Sequence, residues 1–416
     1  MEKLFIETSK LEGVVNVSGA KNSVLKLLTC SILTEDLVEL ENFPGTLSDA
    51  EIHLQMLRIL GKECVVVEDT VRIKENSILA NELIWTDRSI RNTLLILGAL
   101  VARFGYGKVP LPGGCKLGDR AYDLHVHVLQ ELGATVWEDD DYLYAQAPKK
   151  GLIGADIHLV IRSTGATENA IIAGTLASGK TTIWNPHIRP EIIDMVNVLN
   201  KMGALIRVYG QERIEVVGVE RLRGVTHTVM PDNMEAITWL VGAVITRGDV
   251  EIRNFPAKDL EVALIHLKES GVKLYVESNS VIVRGGCPYP LEISTGPHPG
   301  INSDVQPIFA AFAACAKGQS TIVDLRFAGR YGYVVEMAKM GLAYEIVGNA
   351  LKIHGSGDQL SGAKVKATDL RAGAALSLCG LTASGVTEIS DAWQIERGYD
   401  RFVEKLLRLN ATVRYE

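Results

Sequence analysis

Apolar residues recur at helical spacing in several stretches of this chain, and those stretches share one ending. The clearest is Ile192, Met195, Val196, Leu199 and Met202, a stripe that predicts one buried face of an amphipathic helix. It closes on Gly203. The same close, a mostly apolar residue followed by glycine, occurs at Leu60-Gly61, Leu132-Gly133, Ser270-Gly271 and Met340-Gly341. Leu409-Asn410 gives a sixth copy, with asparagine, the other residue that tolerates a left-handed helix cap. Successive markers lie 72, 70, 68, 70 and 69 residues apart, so a unit of about 70 residues repeats six times.

Each copy has the same internal order. A helix of small and apolar residues comes first, at 22–33, 92–103, 168–177, 234–246, 305–316 and 372–383. A glycine or polar turn follows, then a strand such as 181–184, 250–252 or 320–323. The amphipathic helix runs to the marker, and closing strands such as 63–67 and 281–283 complete the unit. The predicted fold class is α/β, with six units packing helices on sheets in two domains of three. A solenoid would use shorter repeats.

Composition agrees with large cores. The chain has 416 residues, 47% hydrophobic and 22% charged, which fits two or three domains and excludes a disordered, collagen-like or coiled-coil chain. The net charge of −7 argues against a dedicated nucleic-acid binder but leaves room for a basic pocket. The longest apolar runs, 94–102 and 308–316, fall short of the ~18 residues of a membrane span. The first seven residues lack a basic segment followed by an apolar run, so the expectation is a soluble, cytoplasmic protein without a membrane partner. Six cysteines form no CxxC, and Cys30, Cys315 and Cys379 sit in apolar helical stretches as small core residues.

One motif is misleading. Gly174 to Thr181 matches GxxxxGK[ST], but a phosphate loop needs a strand before it and a helix after it, and here the order is reversed. A helix end before a strand is the plainer reading. The informative loop is Leu111-Pro112-Gly113-Gly114-Cys115-Lys116-Leu117-Gly118-Asp119-Arg120. Its glycines predict an exposed segment, and Lys116 and Arg120 favour the thiolate of Cys115. A loop cysteine with no role is the alternative. The starts of the first helices carry Lys21, Asn22, Arg91, Asn92, Thr167 to Asn169, Asp232 to Glu235, Asp304, Asp369 and Arg371. Equivalent positions of a pseudo-symmetric fold face a common centre, and guanidinium groups there suit phosphate and carboxylate. Taken singly, Asp304 and Asp369 are equally readable as helix caps.

At these residues the sequence resembles the enolpyruvyl transferase family. The stretches that carry the resemblance are Ser18-Gly19-Ala20-Lys21-Asn22, Arg103-Phe104-Gly105, Pro112-Gly113-Gly114-Cys115 and Gly118-Asp119-Arg120. Asp123-Leu124-His125, Gly165-Ala166-Thr167-Glu168-Asn169, Ala367-Thr368-Asp369-Leu370-Arg371 and Glu396-Arg397-Gly398-Tyr399 continue it in order along nearly the whole chain. The branch that acts on shikimate 3-phosphate shares the six-unit fold but lacks the cysteine loop. The resemblance implies a two-domain inside-out α/β barrel with three units per domain. Residues 21–230 would form the first domain, residues 1–20 and 231–416 the second, with the active site in the cleft between them.

The implied reaction moves the enolpyruvyl group of phosphoenolpyruvate onto a sugar hydroxyl of UDP-N-acetylglucosamine, for peptidoglycan precursors, and releases phosphate by addition and elimination without metal or cofactor. By the same resemblance Cys115 is the general acid and is able to form a covalent adduct, Asp304 is the base, and Asp369 assists proton transfer. Lys21, Arg120, Arg330, Arg371 and Arg397 hold phosphoenolpyruvate, with Lys21 and Arg397 also in the catalytic set. Asn22, Arg91, Asp123, Leu124, His125, Ser163, Thr164 and Gly165 match the nucleotide side. The sequence departs from the family pattern at Lys26 (usually Pro), Asn233 (Arg), Gly329 (Asn) and Gln394 (His), and in 186–188 and 296–304. The catalytic set survives while the acceptor's surroundings drift. Two further readings therefore stand beside the first: the same chemistry on another uridine nucleotide such as UMP, in nucleoside-antibiotic synthesis, and a non-catalytic binder of nucleotide sugars that regulates a partner.

Overall fold

The structure, a computed structural model, describes residues 2–76, 79–112, 122–286, 288–357 and 359–416. The chain divides into two compact units, residues 19–230 and residues 1–18 with 231–416.

Residues 19–230 hold three repeats. Their helices are α1 (Lys21–Cys30) and α2 (Ser48–Leu60), α3 (Thr93–Phe104) and α4 (Asp123–Glu131), and α5 (Thr164–Gly174) and α6 (Pro190–Lys201). The first helix of each pair is the more buried and lies in the core: α3 packs on both α1 and α5. The sheets lie outside these helices. One runs Val225–Thr228, Val38–Glu41, Thr70–Glu75, Lys62–Val67, with its first pair parallel and the rest antiparallel. The strands Leu205–Tyr209, Arg213–Val217, Lys180–Trp184 and Asp156–His158 form a second sheet with one parallel pair, and Tyr106–Pro110, Tyr142–Gln146 and Thr135–Asp139 a third.

The other unit repeats this plan with α7 (Asn233–Ile245) and α8 (Glu261–Glu269), then α9 (Gln306–Cys315) and α10 (Gly332–Lys339). The third copy has α11 (Leu370–Thr382), a short α12 (Trp393–Glu396) and α13 (Phe402–Arg408). Every residue of α7 and α9 is buried, as expected of helices that are apolar all round. Residues 1–18 supply two strands here. Lys3–Glu7 lies between Val386–Ser390 and Val413–Tyr415, and Glu12–Asn16 runs parallel to Asp249–Arg253.

This is the α/β fold of six repeats, with helices inside and sheets outside. All six markers are left-handed, from φ 112° at Gly61 to φ 64° at Asn410. A residue with a side chain resists that conformation, which is why glycine and asparagine mark the repeat. The phosphate-loop lookalike is a helix end: α5 stops at Gly174 and the strand Lys180–Trp184 follows. Helix α5 starts at Thr164, four residues before the expected 168, because the hydroxyl of Ser163 accepts from the Ala166 amide at 3.3 Å and caps it. Cys30, Cys64, Cys315 and Cys379 are buried thiols. Among the described residues no helix is long and apolar enough to cross a membrane.

Candidate active site

In the unit of residues 19–230, Lys21 opens α1 and is buried. Its ammonium pairs with Asp49 of α2 at 2.8 Å, and the other oxygen of Asp49 accepts from Arg88 at 2.8 Å. Asn22 follows, half-buried. Asn92, at the start of α3, donates to the Leu25 carbonyl at 2.7 Å and to Thr29 at 3.1 Å, which ties α3 to α1.

The start of α5 is crowded with titratable groups. Nδ2 of Asn169 lies 3.3 Å from Nδ1 of His125, and a Cβ on Gly165 would stand 2.7 Å from Nε2 of that histidine. Glycine at 165 is therefore what lets His125 lie against the helix backbone. Burial pushes the His125 imidazole down to about 3, with Arg91 and Lys26 adding to it, so the ring is neutral at pH 7. Thr164 Oγ1 meets His187 Nδ1 at 2.8 Å, and the His187 amide donates to Thr167 at 3.0 Å. Glu168 is buried, with Lys26 Nζ 3.8 Å from its Oε1. Burial raises its pKa to about 7, while Lys26 and Arg189 pull it back. Arg189 itself is paired with Glu191 at 2.8 Å. Asp123 is exposed at the start of α4, and Leu124 is half-buried. Cys115 and Arg120 lie outside the described residues.

In the other unit, Asp304 stands in a short helical turn, Ser303–Val305, ahead of α9. Asn302, not Asp304, caps that turn: its Oδ1 accepts from the Asp304 amide at 2.9 Å. The carboxylate of Asp304 is left for Arg330, whose Nη1 donates to it at 3.0 Å. Asp369 does cap α11, accepting from the amides of Arg371 at 2.7 Å and Ala372 at 2.9 Å. Arg371 is buried, with its guanidinium 4.9 Å from the ring centroid of Tyr399. Burial works against its charge, but Tyr399, Asp232 and Asp304 raise its pKa above the ordinary arginine value. Burial likewise opposes the Arg330 charge, which Asp304, Asp369 and Asp324 sustain. Arg397 donates to the side-chain oxygen of Gln394 at 3.0 Å.

Two donors in this group have no hydrogen-bond partner among the described residues, Nη1 of Arg371 and Nε of Arg330, and both are buried. A buried guanidinium N–H left unmade is costly, and a phosphate or carboxylate oxygen satisfies it. The unit thus gathers Asp304, Arg330, Asp369 and Arg371, and the unit of residues 19–230 gathers Arg91, His125 and the start of α5. Sequence reasoning passed over Asp49, Arg88 and Asp324 as chemistry, and named Glu168 only within a motif and among the helix-start residues. Each is an ordinary carboxylate or cation by local pattern, and its side-chain partners lie 18 or more residues away in the chain.

Comparison with known proteins now gives this arrangement a class. Residues 6–406 match the family of EPSP synthase (3-phosphoshikimate 1-carboxyvinyltransferase). Over 413 residues the chain is 40% identical to UDP-N-acetylglucosamine 1-carboxyvinyltransferase 1 of Caldanaerobacter subterraneus subsp. tengcongensis, with 99% of each chain covered. It is 39% identical to UDP-N-acetylglucosamine 1-carboxyvinyltransferase of Finegoldia magna over 422 residues, 99% of this chain and 98% of that one. Among solved structures it is similar to the enolpyruvyl transferase NikO from Streptomyces tendae. The TM-score is 0.88 at 26% identity, covering 100% of this chain and 98% of that one. It shares its fold with EPSP synthase from Acinetobacter baumannii, with a TM-score of 0.78 at 19% identity and full coverage of both chains. The chain belongs to the EPSP synthase family of carboxyvinyltransferases. Its reaction is enolpyruvyl transfer from phosphoenolpyruvate.

Proposed function

We propose that this enzyme transfers the enolpyruvyl group to a sugar hydroxyl of UDP-N-acetylglucosamine and releases phosphate, a cytoplasmic step toward peptidoglycan. The observation that carries the reading is the buried Arg330 and Arg371 pair, each with a donor unmade, beside the carboxylates of Asp304 and Asp369. Phosphoenolpyruvate brings about three negative charges, and taking them from water needs such partners. The relatives named above supply the acceptor.

In this reading Lys21, Arg120, Arg330, Arg371 and Arg397 hold the phosphate and carboxylate of phosphoenolpyruvate. Asn22, Arg91, Asp123, Leu124, His125 and the residues 163–165 serve the nucleotide side. Cys115 gives its thiol proton to the methylene carbon, while Asp304 takes the proton of the acceptor hydroxyl, whose oxygen bonds C2. The tetrahedral ketal then gives a proton from the new methyl group back to the Cys115 thiolate, with Asp369 assisting, and expels phosphate by breaking its C2–O bond. The arginines stabilise the charge that develops in both steps. The reading requires the groups of both units to act on one bound substrate pair.

A second reading keeps this chemistry and changes the acceptor to another uridine nucleotide such as UMP. It is favoured by where the departures fall. Lys26 lies beside Glu168, and His187, in the altered segment 186–188, contacts Thr164.

Phosphate release from phosphoenolpyruvate, with UDP-N-acetylglucosamine and UMP offered separately, tests both. Turnover with the nucleotide sugar alone is expected. Turnover with UMP alone transfers the function to the second reading, and no turnover with either from folded protein overturns both. Cys115→Ala is expected to lower the working rate by about 10²- to 10⁴-fold, the worth of a positioned acid.

A further inference from the structure

Behind Asp304 and Arg330 lies a carboxylate that the chemistry above does not use. Asp324 follows the strand Lys317–Val323 and is completely buried. Its Oδ1 accepts from Thr295 Oγ1 at 2.8 Å and from the amides of Arg326 and Phe327, both at 2.9 Å. Its Oδ2 accepts from the hydroxyl of Ser303 at 2.5 Å and from Nε2 of Gln306 at 3.5 Å. Five donors converge on one side chain, and they come from three segments of the chain. Two of those segments hold the reacting pair, since Ser303 precedes Asp304 and the turn begun by Arg326 and Phe327 leads to Arg330.

Ser303 carries the argument. A hydroxyl has one hydrogen and two lone pairs. Its hydrogen is committed to Asp324, so toward Arg330 it only accepts. Nη1 of Arg330 donates to Ser303 Oγ at 3.3 Å and to Asp304 Oδ1 at 3.0 Å. Gln306 adds a second tie, from its Nε2 to the Arg330 carbonyl at 3.3 Å. We propose that Asp324 is a positioning residue of the transfer reaction: through Ser303 and Gln306 its carboxylate orients Arg330, and through Arg330 it orients Asp304 toward the acceptor hydroxyl. The proposal rests on the reading of Asp304 as the base.

The charge of Asp324 matters as well as its shape. In Asp324→Asn one oxygen becomes an NH2 group. If the remaining oxygen keeps the two backbone amides, the NH2 faces Ser303 and Gln306. The Ser303 hydroxyl then accepts from Asn and turns its hydrogen toward Arg330, so donor meets donor. Gln306 Nε2 also loses its acceptor. Arg330 slackens, and Asp304 loses both its orientation and part of its cationic neighbour.

The test uses the full chain and the acceptor that the wild type turns over, UDP-N-acetylglucosamine or UMP. Turnover, KM for phosphoenolpyruvate and thermal midpoint are measured across pH for Asp324→Asn, Ser303→Ala, their double variant, Ser303→Thr and Asp304→Asn. Asp324→Asn is expected to lower kcat about 10- to 100-fold, a part of what a general base is worth. Its KM for phosphoenolpyruvate should rise as well, because the slackened Arg330 also holds that substrate. The acid limb of its kcat profile should move to higher pH, because a carboxylate that loses a cationic partner holds its proton more tightly. Ser303→Ala should move the limb in the same direction, the double variant should be no worse than Asp324→Asn, and Ser303→Thr should restore the wild-type profile. A lowered thermal midpoint with an unmoved pH profile in both single variants overturns the positioning role. If Asp324→Asn fails to fold, Ser303→Ala decides alone. An inactive Asp304→Asn beside unmoved profiles rejects the positioning role only. A fully active Asp304→Asn rejects the base reading and the proposal with it.

Discussion

Asp369 holds a helix end and a charge at once, and two substitutions separate them. Its Oδ1 caps α11, and its charge supports Arg330. Asparagine caps nearly as well as aspartate, so Asp369→Asn should keep stability within about 0.5 kcal/mol while kcat falls. Asp369→Ala should lose the cap as well, about 1 kcal/mol more, read as a lower denaturation midpoint. A second prediction concerns pH. Burial holds His53 and His125 down at about 3, with Lys26 adding to both and Arg91 to His125. Their folded pKa lies below the unfolded value of about 6.5, so the stability they contribute is present above that pH and is lost as pH falls toward 3. Glu168 works the other way. Its folded pKa of about 7 lies above the ordinary carboxyl value, so its contribution is present in acid and is lost as pH rises through 7. Between pH 6 and 5, His53→Gln should therefore flatten the loss of stability by about 1.4 kcal/mol per pH unit, and Glu168→Gln should steepen it by a similar amount. Denaturant midpoints at the two pH values check both signs.

The helices and their ends were the most legible part of this sequence, because a left-handed cap restricts which residue can stand there. Asn410 is the informative exception among the six markers. Asn410→Gly should be neutral or slightly stabilising, whereas Asn410→Ala places an ordinary side chain at φ 64° and should cost about 1 kcal/mol in thermal unfolding. Helix starts were less legible. The repeat pattern placed α5 late because Thr164 and Gly165 are not apolar, while the cap that starts it is a single hydroxyl, Ser163. Motif residues such as Lys21, Asp304 and Arg371 stood out by type and spacing. Their partners did not. Asp49 reads as an acidic residue in the first turn of α2, and Asp324 as the polar end of a strand; only folding brings them to Lys21 and Ser303. Asp304 looked like a cap until Asn302 was seen to hold that place, while the Asp304 carboxylate accepts from Arg330.

At the scale of the whole chain, periodicity counts six units but does not say how they are grouped. The separation into residues 19–230 and the remainder follows from two strands near the N-terminus. Lys3–Glu7 is an interior strand of its sheet, paired along its full length with Val386–Ser390, and it sends Leu4 and Ile6 into the core shared with α7, α9 and α11. Glu12–Asn16 adds Val15 to that same core. The core of residues 19–230 contains none of these side chains. Residues 19–230 expressed alone should therefore unfold cooperatively, since every strand of their three sheets lies within them. A chain of residues 19–416 should keep that transition and lose the other, because removing residues 1–18 opens one sheet between Val386–Ser390 and Val413–Tyr415. The lost strands can be returned by another route. The amide of Lys3 donates to the carbonyl of Glu416 at 2.6 Å, and the amide of Glu416 donates back to Lys3 at 2.8 Å, so the two ends of the chain lie on adjacent strands. A permuted chain that begins at Gly19 and carries residues 1–18 after Glu416, joined by a short glycine-rich turn, should regain the second transition in calorimetry and its resistance to limited proteolysis. Failure of that chain to regain it, with residues 19–230 still folded, would mean that the strands must be delivered from the N-terminal side rather than merely be present.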